Sequence, residues 1–181
     1  MLRNTPDNWG WVAIAFHWMV AAAVIGLFFL GWWMVDLNYY SPWYVRAPDI
    51  HKSVGILLFG LVALRLVWRL VNVRPRPEPG PAWEHLLAEA VHWLIYLLMF
   101  AILATGYLIP TAQGAPISVF GWFEVPAWVT GIQNQEDIAG DLHRWLAWSL
   151  MALVAIHAAG ALQQHFIKRN RTLKRMLGIR R

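Results

Sequence analysis

Residues 142–167 read LHRWLAWSLMALVAIHAAGALQQHFI, an apolar run interrupted at His143, His157 and His165. A helix needs about 20 mainly apolar residues to cross roughly 30 Å of hydrocarbon, so this stretch is long enough to span a membrane. Ionisable groups are costly there and mark functional positions by default. His143 and His157 lie fourteen positions apart. At about 100° and 1.5 Å per residue, they share one helix face within roughly 40° and sit about 21 Å apart along the axis. One face of one span therefore carries two imidazoles near opposite membrane surfaces.

Working outward, three more stretches qualify as spans: about Trp11 to Val35, Ser53 to Leu70 and Leu86 to Ile109, with the first run ending at about Ile167. The span from Trp11 is too long for a signal-peptide core and lacks a small-residue cleavage pattern, so it is expected to be retained. Composition agrees: 59% of the chain is hydrophobic and 14% charged, with a mean hydropathy of +0.43. Soluble domains run at about 45–50% and about 25%. A net charge of +5 in such an apolar chain does not suit a nucleic-acid binder. The absence of cysteine excludes disulfides, Cys-ligated zinc, iron–sulfur clusters and covalent haem. The expectation is an all-α fold, an integral membrane four-helix bundle, with residues 1–181 as a single domain.

Charge orients it. Arg69, Arg74 and Arg76 surround the Pro-rich linker after the second span, and Lys168, Arg169, Arg171, Lys174, Arg175, Arg180 and Arg181 crowd the tail. The stretch from Pro110 to Gly140 has no Lys or Arg, only Glu124, Glu136 and Asp137. The positive-inside rule places both termini and the second loop in the cytoplasm. Thirteen Trp and five Tyr, many near span ends, suit interfacial belts. The basic tail is also a candidate amphipathic helix for anionic lipid.

This topology gives each histidine a depth. His51 faces the outer edge, level with His143. His17 and His92 both lie in cytoplasmic halves, and each is a plausible partner for His157. Neutral imidazole binds haem iron axially, and bundles build such sites from facing helices, so the pattern suits bis-histidine haem, two groups stacked as an electron wire. Gly26, Gly55, Gly60, Gly106 and Gly160 would let a porphyrin approach the backbone, although packing explains most membrane glycines. His85 reads as an interface residue.

At these residues the chain resembles the bacterial cytochrome b561 family. The marks run in order: Phe16-His17-Trp18, His51-Lys52-Ser53-Val54-Gly55, Arg65 to Arg69 before the Pro-rich linker, and His92 to Tyr96. Pro116 to Gly121, His143-Arg144-Trp145, His157 to Leu162, His165-Phe166 and Lys174 to Leu177 follow. The resemblance implies a multi-pass protein of the bacterial inner membrane with two haem b groups. Their ligands would be His51 with His143 outside and His17 with His157 inside. It implies ubiquinone as acceptor, with His92 and His165 as quinone-site candidates on the cytoplasmic side. The family often carries His-His where this chain has Gln164-His165. It implies superoxide as the periplasmic donor, for which Lys52 and Arg144, each following a proposed outer ligand, would attract a small anion together with Arg46. These cations would equally suit haem propionates, as Arg65 and Arg69 would inside. A passive cytochrome b subunit serving a periplasmic dehydrogenase or hydrogenase, docked on the aromatic outer loop, is the alternative. A haem-free proton or ion path ranks last, because no span holds a central Asp or Glu.

Overall fold

A computed structural model describes residues 1–179; Arg180 and Arg181 of the basic tail lie outside the described residues. Four long helices dominate: α1 (Trp11–Met34), α2 (Arg46–Val71), α3 (Ala82–Thr111) and α4 (Gln135–Phe166). All four are long and apolar enough to cross a membrane. Hydrocarbon offers backbone amides no water, so a spanning segment must close its hydrogen bonds within itself. Each helix lies against the next in the chain, whereas α1 meets α4 at only a few positions. We call the two ends of the bundle the termini end and the hairpin end.

Three helices start earlier than hydropathy alone suggests. α2 begins at Arg46 rather than Ser53, α3 at Ala82 rather than Leu86, and α4 at Gln135 rather than Leu142. Polar residues fail a hydropathy criterion but remain helical in the headgroup layer. Asp49 of α2, Glu84 of α3 and Glu136 and Asp137 of α4 occupy first turns, where a carboxylate complements the helix dipole. Pro48 sits in the first turn of α2, where its missing N–H costs nothing. His51 therefore lies inside α2 rather than just before it.

The loop between α3 and α4 folds into a hairpin that the sequence reading did not foresee. β1 (Ile117–Val119) pairs antiparallel with β2 (Phe123–Val125), and the Trp122 amide donates to the Val119 carbonyl at 2.9 Å. Its turn holds Phe120 at φ 51° and Gly121 at φ 72°. Gly121 takes that conformation freely, but Phe120 is strained there. Buried Ser53 of α2 holds it: the Phe120 amide donates to the Ser53 hydroxyl at 3.1 Å.

The core is a layer across mid-bundle. Val20, Leu58, Val62, Tyr96, Met99 and Leu150 are buried and pack together. Each lies between the two histidine levels on its helix. At the termini end the tail turns back as α5 (Thr172–Met176), with Arg175 buried. It packs on the protein as a single short turn rather than forming an extended amphipathic helix.

Candidate functional site

At the hairpin end the four helices part around a cavity of about 670 Å³. His51 of α2 and His143 of α4 both line it, with ring centroids 6.1 Å apart and planes at 71°. A glycine of the neighbouring helix seats each ring. A Cβ on Gly31 would lie 3.0 Å from His51 Cε1, and one on Gly106 would lie 2.9 Å from His143 Cε1. Real Cβ atoms essentially never come closer than 3.0 Å, so any side chain at Gly106 must displace the imidazole. Gly106 was singled out in the sequence, and Gly31 was not. At Gly26, Gly55, Gly60 and Gly160 an added Cβ meets nothing within 4 Å.

His143 is also oriented. Its Nδ1 lies 2.9 Å from the Ile102 carbonyl, which only accepts, so the proton sits on Nδ1 and the Nε2 lone pair is free. The Thr105 hydroxyl lies 3.2 Å from the same nitrogen. His51 Nδ1 is buried without a partner among the described residues.

The cations at this mouth are already engaged. Lys52 pairs with Asp49 at 2.8 Å, Arg144 with Asp141 at 3.1 Å, and Arg46 lies 5.4 Å over the Trp43 ring. Glu136, Asp137 and Asp141 line the cavity beside Lys52 and Arg144.

The second cluster lies across the core layer, toward the termini. His17 of α1 and His157 of α4 have ring centroids 6.2 Å apart with planes at 55°, and His92 of α3 reaches His157 at 5.2 Å. Arg65 of α2 donates from Nη2 to His17 Nδ1 at 2.9 Å, and its guanidinium lies 5.5 Å over the Tyr96 ring. Arg69 stacks over Trp93 and Tyr96 and pairs with Glu89 at 3.1 Å. Glu89 also accepts from Arg74 at 2.8 Å and from the Trp93 indole at 2.7 Å. Sequence reasoning missed Glu89 as the anion that gathers these arginines; its signal was a carboxylate one turn from His92 on α3. His165 stands apart, its ring against Phe166 and its Nδ1 buried without a partner among the described residues. His85 lies against Gly80 in the linker.

Two histidine pairs drawn from α1, α2 and α4 of a bundle of four apolar helices, one pair on each side of a packed layer, are now in place. The profile of the prokaryotic cytochrome b561 family matches residues 8–178. The chain belongs to that family. It is 51% identical to cytochrome b561 homolog 2 of Escherichia coli (strain K12), over 97% of this chain and 94% of the relative. It is 31% identical to a probable superoxide oxidase CybB of Yersinia pestis, over 91% of this chain and 92% of that protein. A haem A synthase of Rhodopseudomonas palustris (strain BisB18) is 29% identical over 73% of this chain and 39% of the synthase. This cytochrome b561 is thus a membrane electron-transfer protein of the haem b type and a multi-pass protein of the bacterial inner membrane. A haem-free ion path does not fit a cytochrome b family.

Proposed function

We propose that this cytochrome b561 holds two haem b groups, one between His51 and His143 and one between His17 and His157, and passes electrons across the membrane to ubiquinone. The observation that carries this reading is the ring spacing. Two imidazoles that would hold one iron need room for it between their rings. The two pairs stand at 6.1 and 6.2 Å, whereas His92 and His157 at 5.2 Å leave less room. His143, with its Nε2 free, fits the group beside a cavity that gives room at that level, and His17 would fit it once its hydrogen bond from Arg65 is released.

Haem bound there supplies reversible one-electron exchange. The chain's own residues do the rest. The Ile102 carbonyl fixes the His143 ring and tautomer, and the buried core layer keeps water out between the two levels. The basic linker and tail support a termini end in the cytoplasm and a hairpin end in the periplasm. Reducing a quinone consumes two protons as well as two electrons. His92, beside His157, would hand one over in the cytoplasmic half, with His165 as a further donor near the exit of α4.

For the periplasmic donor we propose superoxide, supported by the similarity to the probable superoxide oxidase CybB of Yersinia pestis. Lys52 and Arg144 are the cations that line the cavity of the proposed site. The pairing of both with carboxylates favours a second reading, in which the donor is a periplasmic redox protein docked on the hairpin end.

The deciding experiment is a reduced-minus-oxidised spectrum with haem quantified per chain, on wild type and on His143→Ala. Two b-type haems should fall to one. Retention of both after the substitution would overturn the pairing, and a wild type with one haem would remove one of the two sites. Superoxide-driven quinone reduction in the intact protein then separates the donors.

A further inference from the structure

Three stretches remote in sequence meet at the termini end and line an open polar cavity of about 370 Å³. Its lining includes Asp7, Asn8, Arg76, Glu78, Arg171 and Arg175. Bonds outside the cavity fix its walls. The Arg76 amide donates to the Pro6 carbonyl at 2.7 Å, and the Asn4 amide group to the Val73 carbonyl at 2.9 Å. The Trp18 indole donates to the Met176 carbonyl at 2.9 Å.

The polar groups inside are incompletely used. Arg175 is only 7% exposed and donates to the Glu78 carboxylate at 3.1 Å and the Arg76 carbonyl at 2.9 Å, but its Nε has no partner among the described residues. Asn8 Oδ1 is likewise buried and unpartnered. The guanidinium groups of Arg76 and Arg171 pair with no described residue, and neither does the Asp7 carboxylate. Burying Arg175 Nε and Asn8 Oδ1 without partners is costly, and these two atoms, beside the half-buried Arg171 and the exposed Arg76, point to a ligand that completes them. Three arginines against two carboxylates leave the lining with one net positive charge. The cavity lies just beyond the ends of α1, α2, α3 and α4, where α1 starts at Trp11 and α4 stops at Phe166. That is the depth of lipid headgroups.

We propose that this cavity binds a phosphate group carrying one negative charge, held by Arg76 and Arg171, and that the bound anion clamps the N-terminal arm, the Pro-rich linker and the tail together. Asp7 and Asn8 Oδ1 accept hydrogen bonds from a hydroxyl or amine next to the phosphate. A phospholipid headgroup and free phosphate share this chemistry. The reading is independent of the haem sites.

The test is thermal unfolding of the full-length, haem-loaded protein in detergent, followed by tryptophan fluorescence. Short-chain phosphatidylglycerol, phosphatidylcholine of equal chain length and inorganic phosphate are added separately. Phosphatidylglycerol should raise the midpoint by several degrees, because a ligand that binds only the folded state stabilises it, and phosphatidylcholine should not, because its quaternary ammonium has no hydrogen to donate to Asp7 and Asn8 Oδ1. The double substitution R76Q/R171Q should abolish the increment, whereas R3Q, on an exposed arginine outside the cavity, should keep it. An equal increment from inorganic phosphate, lost in the same variant, would assign the site to free phosphate. Equal stabilisation by both lipids, no stabilisation by any anion, or an increment that survives R76Q/R171Q would overturn the proposal. Arg175 is left intact throughout, since its burial makes it part of the fold.

Discussion

The two histidine pairs differ less in spacing than in what surrounds them. At the hairpin end His143 gives its Nδ1 proton to a carbonyl, and the rings rest on Gly31 and Gly106 beside an open cavity. At the termini end His17 receives a hydrogen bond from Arg65, and a third imidazole stands within 5.2 Å of His157. Arginine cannot accept, so His17 Nδ1 must be bare and its proton must sit on Nε2. A neutral imidazole in that tautomer offers no lone pair at Nε2, whereas His143 does. In the proposed haem sites His143 could ligate as it stands, whereas His17 would first have to release Arg65. Similar distances between rings thus conceal opposite states of readiness.

The strongest way to break the contrast is to crowd a ring. Gly106→Val should push His143 out of place, since the first added carbon already meets it at 2.9 Å. We expect loss of the hairpin-end haem and retention of the other, read as haem per chain falling from two to one. Overpacking costs about 1–3 kcal/mol, so the fold should survive. Gly55→Ala lines the same cavity but meets nothing within 4 Å, and should keep both haems. Equal haem loss in the two variants would mean that the seating glycines are not what fixes the ring.

Next in size is the division of labour between His17 and His92. His17→Ala should remove the termini-end haem. His92→Ala should leave haem content and spectra unchanged and slow quinone reduction by about a hundredfold, the usual scale for losing a positioned proton donor. Loss of haem in His92→Ala would exchange the roles of the two residues.

The helix spans, and the level of each histidine, were legible because hydropathy and a 3.6-residue period act locally. The pairing of His51 with His143 followed from depth alone, while the partner of His157 stayed open between His17 and His92. What was hidden depends on segments that meet only in three dimensions. Ser53 holding the turn at Phe120 joins residues more than sixty positions apart, and so does the Arg175 bond to Glu78. Gly31 was invisible because a glycine in a membrane span ordinarily signifies helix packing. The early start of α2 at Arg46 was missed because a polar first turn in the headgroup layer reads like a loop.

Arg65 offers a subtler test. If its bond to His17 must break before a metal is held there, haem added stepwise to protein stripped of it should fill the hairpin end first. The second equivalent should bind more slowly. Arg65→Gln, which weakens the hold on His17, should bring the two rates within about a few-fold of each other, because a single charge-assisted hydrogen bond is worth about 1.5–3 kcal/mol. His143→Ala serves to assign the first equivalent. Filling of the termini end first in wild type would reverse the comparison.

The smallest expected effect separates the two donors. Lys52 and Arg144 already face carboxylates at 2.8 and 3.1 Å, so each contributes little free positive field at the mouth. Exposed pairs of this kind are worth about 0–1 kcal/mol, and Lys52→Gln or Arg144→Gln should slow superoxide-driven reduction by less than about fivefold. The informative change is on the acids. Asp49→Asn with Asp141→Asn frees both cations, which should speed capture of a small anion at low salt, with the gain fading as ionic strength rises. A protein donor with a basic face would be slowed by the same substitutions, because they remove the charges it docks against. The sign of the change, rather than its size, therefore tells whether the hairpin end receives an anion or a protein.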